Sequence, residues 1–360
     1  ELRDYLKEKF EYIEIFAFND LIFEEIEQDV VILVCAKRHK KQGVAFFQVE
    51  HLEDLKEPLY VQKNSNVHRK TLDKWTNYVL SDADLKFLDA IRAKLRPIKD
   101  YCRAEVGIVT AANDYFIVDR GTVRDYHLEA IARPIIKKGS HIQSTLYMRE
   151  ADYLQGIENG VPGYFLEFPD SEVSMPASYE SYLQEGVRRG LTERYKMKLR
   201  KKWYIIPSLW VPEGFFTKRS NIFPRMMVNE ARLMVTDSFY RILMKEGYRI
   251  EDLTFSFYNS LTMIFAELEG RFYGGSVLEL TPSEYKNLIV PYHPRVPKRH
   301  LAKLDELLKK GAGVEEIMAY TDKILLCDHF GLNEEDAERL KRIYKKLLLR
   351  RLKGKKYTKA

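Results

Sequence analysis

Residues 188–204 (RRGLTERYKMKLRKKWY) place basic residues beside aromatic ones. Within the sequence, this segment has the side chains best suited to binding a polyanion. Lysine and arginine suit contacts to phosphate, and Tyr195, Trp203 and Tyr204 could pack beside them. Each phosphate that a protein neutralises releases counterions, so this segment would add affinity for nucleic acid without reading its sequence. A solvated helix or strand face has the same composition, and charge alone does not separate the two interpretations.

A second basic segment, residues 341–359, contains no acidic residue. Its leucines recur at helical spacing, which predicts that one face of a helix is buried. We expect this segment to contribute solubility or loose phosphate contact rather than a specific site.

Other site chemistries find no support in the sequence. No HxxxH spacing links the histidines, and the three cysteines have no CxxC spacing, so neither a metal site nor a disulfide framework is indicated. The GxSxG motif of hydrolases is absent. Residues 270–275 (GRFYGG) lack the Lys-Ser/Thr of a phosphate-binding loop, which argues against an NTPase.

The composition is that of a folded protein long enough for two or more cores, with 360 residues, 45% apolar and 12% aromatic. A net charge of +6 permits a polyanionic partner without demanding one. The apolar run at residues 29–36 is far below the roughly 20 residues that span a bilayer. We therefore expect a cytoplasmic protein without membrane contact. Because Glu1 lies within a helical pattern, we expect residue 1 to be a cut in a longer chain.

Hydrophobic patterning predicts an α/β region at the start of the chain. Residues 2–10 have helical spacing, and the apolar runs at residues 12–18, 30–36 and 44–49 indicate strands. The second run is almost continuously apolar, which favours a strand buried on both faces. Residues 50–80 indicate a polar connector. A helix follows from Asp82 to Leu95, with Ser81 as its N-cap and Pro97 as its stop.

Short strands broken by Gly, Pro and Asn dominate residues 101–291, which predicts one mixed, mainly β domain. Two stretches within it, residues 237–245 and 254–268, have helical spacing. From about Pro294 the pattern is entirely helical, and helices are predicted at residues 300–310, 314–328 and 334–352. The expected fold class is therefore α+β.

Three passages carry motifs that belong together. Residues 106–118 (VGIVTAANDYFIV) match G-I-x-T-G-x-N-x-x-F, except that Ala111 stands where glycine is more usual. Residues 222–290 combine an Asn-Ser helix start, the GRFYGG turn and an L-E-L-x-P-x-E end. With residues 2–36, these passages resemble the C-terminal half of TaqI-like and type IIG adenine-specific DNA methyltransferases: the last strands of the methyltransferase domain, then the target recognition domain.

The resemblance implies four regions. Residues 1–49 would be the last strands of a Rossmann-like methyltransferase sheet, residues 50–98 a connector with a helix, residues 99–293 a mixed, β-rich target recognition domain, and residues 294–360 a basic helical segment. It also implies methyl transfer from S-adenosylmethionine to N6 of an adenine that has left the base stack, within a restriction-modification system. Neither FxGxG nor NPPY or DPPY occurs in the sequence. We therefore expect a missing N-terminal domain to bind the cofactor, no catalytic residue here, and an inactive fragment.

Double-stranded DNA is the partner that the resemblance implies, held by basic residues on phosphates and polar residues on base edges. Asn113 would read adenine, or would take a left-handed turn position. Asn259 and Ser260 are expected to start a helix rather than to bind DNA. The candidate DNA-binding residues are Thr110, Asn113, Lys137, Lys138, Arg200, Lys201, Lys202, Trp203, Arg225, Asn229, Arg271 and Tyr273.

Two other classes of function stay open at this point. A general RNA or single-strand binding module would prefer unpaired nucleic acid, and a non-catalytic interaction scaffold would bind none. The C-terminal helices could serve a partner subunit in any of these cases.

Overall fold

The computed structural model describes residues 2–18, 22–23, 30–68, 74–170, 175–273 and 276–352, without the side chain of Tyr273. Gly274 and Gly275 of the predicted turn and residues 353–359 of the basic tail lie outside the described residues. Within them the fold is a mixture of helices and several small sheets, so the α+β class is confirmed. The Rossmann-like and target-recognition assignments and the domain boundaries stay predictions.

Seventeen strands occur in the described part of the chain. They are β1 Tyr12–Phe18, β2 Val31–Ala36, β3 Gly43–Val49, β4 Ser65–His68, β5 Arg96–Pro97, β6 Cys102–Val106, β7 Ile117–Val118, β8 Ala132–Ile136, β9 Tyr164–Leu166, β10 Gly214–Thr217, β11 Arg219–Ser220, β12 Met226–Val228, β13 Met234–Val235, β14 Phe239–Met244, β15 Arg271–Tyr273, β16 Val277–Glu279 and β17 Ile289–Val290.

Fourteen α-helices accompany these strands over the same described ranges. They are α1 Leu2–Lys9, α2 Pro58–Lys63, α3 Asp82–Arg92, α4 Asn113–Phe116, α5 Arg120–Asp125, α6 Glu150–Glu158, α7 Ala177–Arg188, α8 Tyr195–Lys198, α9 Ile250–Phe257, α10 Ser260–Glu269, α11 Pro282–Lys286, α12 Lys298–Lys309, α13 Val314–Asp322 and α14 Glu334–Leu352. A π-helical stretch, Lys323–His329, continues α13.

The first sheet has the strand order β2-β1-β3-β4, in which β1 is parallel to β3 and antiparallel to β2. The predicted helix and the three predicted strands are confirmed as α1, β1, β2 and β3. The prediction that the second strand is buried on both faces is wrong. In the described sheet β2 is an edge strand, and Val31, Ile32 and Val34 are exposed. An apolar run shows that a strand forms but not how many neighbours it has.

Residues 96–290 form the remaining sheets of the described chain. The strand orders are β12-β10-β14-β6, β13-β8-β9-β7 and β11-β16-β15, and β17 pairs with β5. The helix predicted at residues 237–245 is wrong, because this segment forms β14 between β10 and β6. The mostly apolar sequence of this strand (FYRILM) fits both the helical and the strand period. Its position at the buried centre of a sheet favours the strand.

Local signals located some of the helices, whereas α4 to α8 lie in a region that was predicted to be mainly β and were not predicted. Ser81 caps α3, its side chain accepting a hydrogen bond from the backbone N–H of Asp84, as predicted. The helix predicted at residues 254–268 is two helices, α9 and α10. They separate at Asn259, whose side chain caps α10 by accepting from the Thr262 N–H at 2.9 Å. The predicted C-terminal helices are confirmed as α12, α13 with its π-helical extension, and α14.

Helix α10 lies at the centre of the main hydrophobic core, and every residue from Ser260 to Leu268 is buried. That core also takes in residues of β1 and β3 and residues of α12 to α14, from Leu6 to Leu352. A second core forms between residues 108 and 234 around Phe116, Phe165 and Tyr182. The C-terminal helices are thus part of the same packing as the start of the chain.

A buried ion pair joins α14 to α10. The side chains of Arg351 and Glu267 are 1% and 2% exposed, and Arg351 Nη2 lies 2.8 Å from Glu267 Oε1. Arg351 also donates to the carbonyl oxygens of Asn221, Ile222 and Ser276. The buried guanidinium charge is tolerated only because its N–H donors are hydrogen-bonded.

Replacing Arg351 with alanine should destabilise the protein strongly, because Glu267 would remain buried without its partner. We expect a loss of about 3–5 kcal/mol in the free energy of unfolding, measured by denaturant titration. Arg342→Ala, at an exposed position of the same helix, should change it by less than about 0.5 kcal/mol. Equal effects of the two substitutions would contradict this account.

Asp322 ends α13 and faces the first turn of α10. It accepts hydrogen bonds from the Ser260 N–H at 2.8 Å and the Ser260 hydroxyl at 2.6 Å. Burial nevertheless raises the pKa of Asp322 from its ordinary 3.8 to about 6. The folded protein therefore binds this proton more tightly than the unfolded chain does, and the stability that it contributes is lost as the pH rises from about 4 through 6.

Asp322→Asn should remove this dependence on pH. Relative to wild type, the variant should gain on the order of 2 kcal/mol in unfolding free energy between pH 4 and pH 7.5. Asp305→Asn is the matched control. Burial raises the pKa of Asp305, but hydrogen bonds from Thr145, Leu146 and Arg149 outweigh it and lower the pKa. Because this carboxylate is ionised throughout that range, Asp305→Asn should be less stable than wild type by a nearly constant amount between pH 4 and pH 7.5. A difference from wild type that does not vary with pH would refute the assignment for Asp322.

Candidate nucleic-acid interface

A polar cleft of about 590 Å³ opens between β10, β11 and the turns that face them. Four basic residues line it: Lys138, Lys218, Arg219 and Arg225. Hydroxyl and amide side chains stand among them, from Ser140, Thr217, Ser220, Asn221 and Ser238, and Asp237 is the acidic residue of the lining. We call this the basic cleft.

Hydrogen bonds join the three turns that form the walls of the basic cleft. Thr236 donates its hydroxyl to the carbonyl of Lys137 at 2.7 Å, which joins the turn after β13 to the end of β8. Arg225 donates from Nη2 to the carbonyl of Gly139 at 3.1 Å, and its backbone is bonded to Thr217 in both directions. Burial lowers the pKa of Arg225. This arginine therefore holds the wall of the cleft together as well as adding charge to it.

A single carboxylate orients two of the cations. Glu279 on β16 lies 3.3 Å from Lys218 Nζ and 2.6 Å from Arg219 Nε. Burial raises the pKa of Glu279, but the hydrogen bonds from Arg219 and Lys218 outweigh it and keep the pKa below its ordinary value. Glu279 is thus ionised at neutral pH and shared by Lys218 and Arg219, and these three side chains together carry one net positive charge.

The loop of residues 107–113 runs beside the cleft and contains the predicted Thr110 and Asn113. A Cβ on Gly107 would lie 2.0 Å from the carbonyl oxygen of Thr236, so only glycine allows this approach of the two backbones. Thr110 is buried and donates its hydroxyl to the Asn113 side chain. Ala111, with φ of 64°, takes the left-handed position proposed as the alternative for Asn113, which instead starts α4.

Lys137 connects this loop to the cleft. Its side chain is 9% exposed and its Nζ lies 2.5 Å from Oδ1 of Asp114, whose side chain is 87% exposed. The hydrogen bond from Lys137 keeps the pKa of Asp114 below its ordinary value. The adjacent Lys138 is exposed and lines the basic cleft. Contacts therefore link four predicted residues, Asn113, Lys137, Lys138 and Arg225, to one region of the surface.

Several other predicted residues use their polar atoms within the protein. Asn229 is buried and closes a turn, donating to the carbonyls of Pro212 and Leu233 and accepting from the Leu233 N–H. Arg200 donates to the carbonyls of Val109, Thr110 and Trp203. The Trp203 ring packs on Tyr115 and Phe116 in the second core.

The remaining candidates lie at the edges of this region. Lys202 pairs with Asp170 at 3.0 Å, and Lys201 is exposed. Arg271 on β15 is paired with Glu284 at 2.9 Å and lies opposite Glu279 in the register of the sheet that contains β11. The side chain of Tyr273 lies outside the described residues.

Sequence reasoning missed Lys218, Arg219 and Asn221. The pentapeptide TKRSN at residues 217–221 interrupts an apolar stretch, with GFF before it and IF after it. The signal that could have identified these residues is a polar turn between two strands that contains two adjacent cations.

The residues present do not fit S-adenosylmethionine. In an open α/β sheet such a ligand binds beyond the carboxyl ends of parallel strands, where a glycine-rich loop lets the backbone approach it. Parallel β3 ends at Val49 and is followed by Glu50 and His51, and Gly43 is the only glycine in residues 1–106. No group of His, Cys, Asp and Glu among the described residues could hold a metal ion. None of the described helices has the length and apolarity needed to cross a membrane.

Comparison with protein families identifies the class of this chain. Residues 72–326 match the C-terminal domain of the type II methyltransferase M.Eco57I, and this match covers more than half of the 360 residues. The chain belongs to that family. The resemblance seen in the sequence motifs is confirmed at this level, whereas adenine as the target base stays a prediction.

Individual proteins are similar to this chain over much of its length. The type II methyltransferase M.AccI from Acinetobacter calcoaceticus is 21% identical over 295 residues, which are 76% of this chain and 52% of that protein. The chain thus spans about half the length of this curated relative. The solved structure of the type IIL restriction-modification enzyme MmeI in complex with DNA covers 94% of this chain, with a TM-score of 0.50 at 11% identity and 46% of that chain matched. The type IIG restriction endonuclease BpuSI matches with a TM-score of 0.49 at 13% identity, covering 98% of this chain and 45% of its own.

Replacing Ala111 with glycine should stabilise the protein. The left-handed backbone at this position costs an L-residue about 1–2 kcal/mol, and glycine's entropy cost offsets about half of the relief, so we expect a gain of up to about 1 kcal/mol. Ala112→Gly, where φ is −155°, brings no such relief and should destabilise. Denaturant titration of the two variants tests this, and a loss of stability in Ala111→Gly would contradict the backbone strain assigned to this position.

Proposed function

We propose that this chain is the DNA-recognition part of a site-specific adenine-N6 DNA methyltransferase from a restriction-modification system. The basic cleft is the observation that carries the proposal. It combines exposed cations, small hydroxyl side chains and an amide at one concave surface, beside a loop whose motif is shared with target recognition domains. Membership of a methyltransferase family supplies the class of parent enzyme.

The chemistry of the cleft suits a phosphodiester backbone and the base edges next to it. Lys138, Lys218 and Arg219 would neutralise phosphates, which gives affinity that depends steeply on salt. Asn221 and Ser220, at the end of the same turn, supply donors and acceptors of the kind that read base edges. The cations are held by contacts such as that of Glu279, so little order would have to be created on binding.

Methyl transfer itself would take place elsewhere in the parent protein. When bound, S-adenosylmethionine supplies an electrophilic methyl group for the adenine amino nitrogen. Residues 1–360 contain none of the motifs that bind this cofactor or hold the flipped base, and the first sheet offers no glycine-rich loop for it. The proposed task of this chain is to hold the duplex so that one adenine is presented.

A binding selection on randomised duplex DNA at near-physiological salt tests the proposal. We expect the 360-residue chain to enrich one short motif that contains adenine, and to leave that motif unmethylated when S-adenosylmethionine is added. Preference for single strands or RNA would favour a general nucleic-acid module instead. Binding to no nucleic acid would favour an interaction scaffold and overturn the proposal.

Replacing Lys138 and Lys218 together with alanine should weaken duplex binding and make it less sensitive to salt. Each phosphate contact contributes about 0.9 to the slope of log K against log salt, so the slope should fall by about two. The matched control is Lys86→Ala with Lys94→Ala, which removes two exposed lysines of the α3 region. The α3 region contacts α14 through the ion pair of Asp84 and Arg339. Arg339 lies about 18 Å along α14 from Arg351, which contacts one wall of the cleft. An equal change in slope for both double variants would show that the cleft has no special part in binding.

A further inference from the structure

Two large apolar side chains are exposed at the two ends of the short helix α8. Tyr195 begins the helix and Leu199, still in right-handed helical conformation, directly follows it; they are 77% and 69% exposed, and their spacing of four residues places them on one side. Met197, on the other side, is 1% exposed and anchors α8 in the second core. Tyr195 and Leu199 thus form a narrow apolar ridge that lies outside the lining of the basic cleft.

The ridge is held rigidly against the loop that carries Thr110. Arg194, just before α8, donates from Nη1 to the carbonyl of Ala111 at 2.9 Å. Arg200, just after it, donates from Nη2 to the carbonyls of Val109 and Thr110 at 3.2 and 3.0 Å. Both ends of the helix are therefore tied to the loop, and Tyr195 and Leu199 cannot move away from it independently.

Charge decides which partner would cover this ridge. Residues 188–202 contain eight lysines or arginines and one glutamate, whereas the whole chain has a net charge of only +6. Lys196 and Lys201 are exposed beside the ridge, and Lys198 is exposed and paired with Glu193 at 2.7 Å. A protein partner with an apolar face would gain nothing from this excess of cations. A nucleic-acid duplex offers both phosphates for the lysines and stacked bases for the ridge.

We infer that Tyr195 and Leu199 form a wedge that inserts at a base step of the bound duplex, while Lys196 and Lys201 contact the neighbouring phosphates. Apolar side chains that enter a groove in this way partly unstack one step and bend the helix. The wedge would act beside the sequence that the Thr110 loop and the basic cleft contact. This inference rests on the proposed function, because it requires a duplex as the ligand.

The test uses the 360-residue chain, a duplex of mixed sequence or the selected motif, and permanganate, which reacts with thymines that have lost their stacking. Wild-type protein should make one or two thymines hyperreactive. The double variant Tyr195→Ala with Leu199→Ala should bind about tenfold more weakly, as expected for the loss of one stacked contact, and should abolish the hyperreactivity. Tyr5→Ala with Leu59→Ala, at positions 54% and 82% exposed on α1 and α2, should leave both readouts unchanged.

A second double variant separates the wedge from general charge. Lys196→Ala with Lys201→Ala should weaken binding and lower its salt dependence while the hyperreactive thymines remain. Both pairs are solvent-exposed, so thermal unfolding should match wild type. Wild-type binding without any hyperreactive thymine overturns the wedge and leaves the proposed function intact, as does undiminished binding by the ridge variant. A wild-type chain that binds no duplex overturns both.

Discussion

The buried ion pair between Arg351 and Glu267 fixes the part of the structure on which the proposed interface depends. A guanidinium removed from water must have its donors satisfied, and here they are met by the carboxylate of α10 and by carbonyls at Asn221, Ile222 and Ser276. Asn221 lines the basic cleft, and Ser276 directly precedes Val277, which also lines it. The last turn of α14 thus positions one wall of the cleft, which is why the C-terminal helices belong to the same structural unit as the recognition surface rather than forming an appendage.

Arginine side chains donate hydrogen bonds to backbone carbonyls at other points around the surface as well. Arg200 binds carbonyls of the Thr110 loop, Arg225 binds the carbonyl of Gly139, and Arg241 binds those of Val106 and Ser208. Loops that lack the ladder of a sheet leave carbonyls without partners, and a planar fork of five donors can satisfy several of them at once. Many arginines therefore have their donors occupied in holding loops, and exposed lysines such as Lys138 offer donors to a ligand. Counting basic residues in the sequence overstates the number of hydrogen-bond donors that a polyanion would meet.

Prediction from the sequence succeeded where the cause of a structure lies within a few residues. Ser81 and Asn259 cap helices because their side chains reach an N–H in the next turn, and this is visible in the sequence. It failed where the cause is distant. Residues 239–244 form a strand because β10 and β6 flank them, and β2 is exposed because its outer edge has no strand among the described residues. Asn229, a predicted DNA-binding residue, uses its side-chain amide within the protein, where its bonds to Pro212 and Leu233 close a turn. The left-handed turn of this loop was predicted as one alternative for Asn113, but it lies at Ala111, where glycine is more usual in the motif.

The size of the basic cleft limits how recognition can work. Its volume of about 590 Å³ equals that of about twenty liquid water molecules, room for a short stretch of backbone or the edge of a base but not for a duplex. On the proposed function, the contacts must therefore be distributed over several loops around the duplex. The Asp114 to Lys137 contact and the arginine bonds on both sides of the Thr110 loop keep these loops at fixed distances from each other. Specificity built this way depends on the spacing between loops as much as on any one side chain, and the buried network behind the surface sets that spacing.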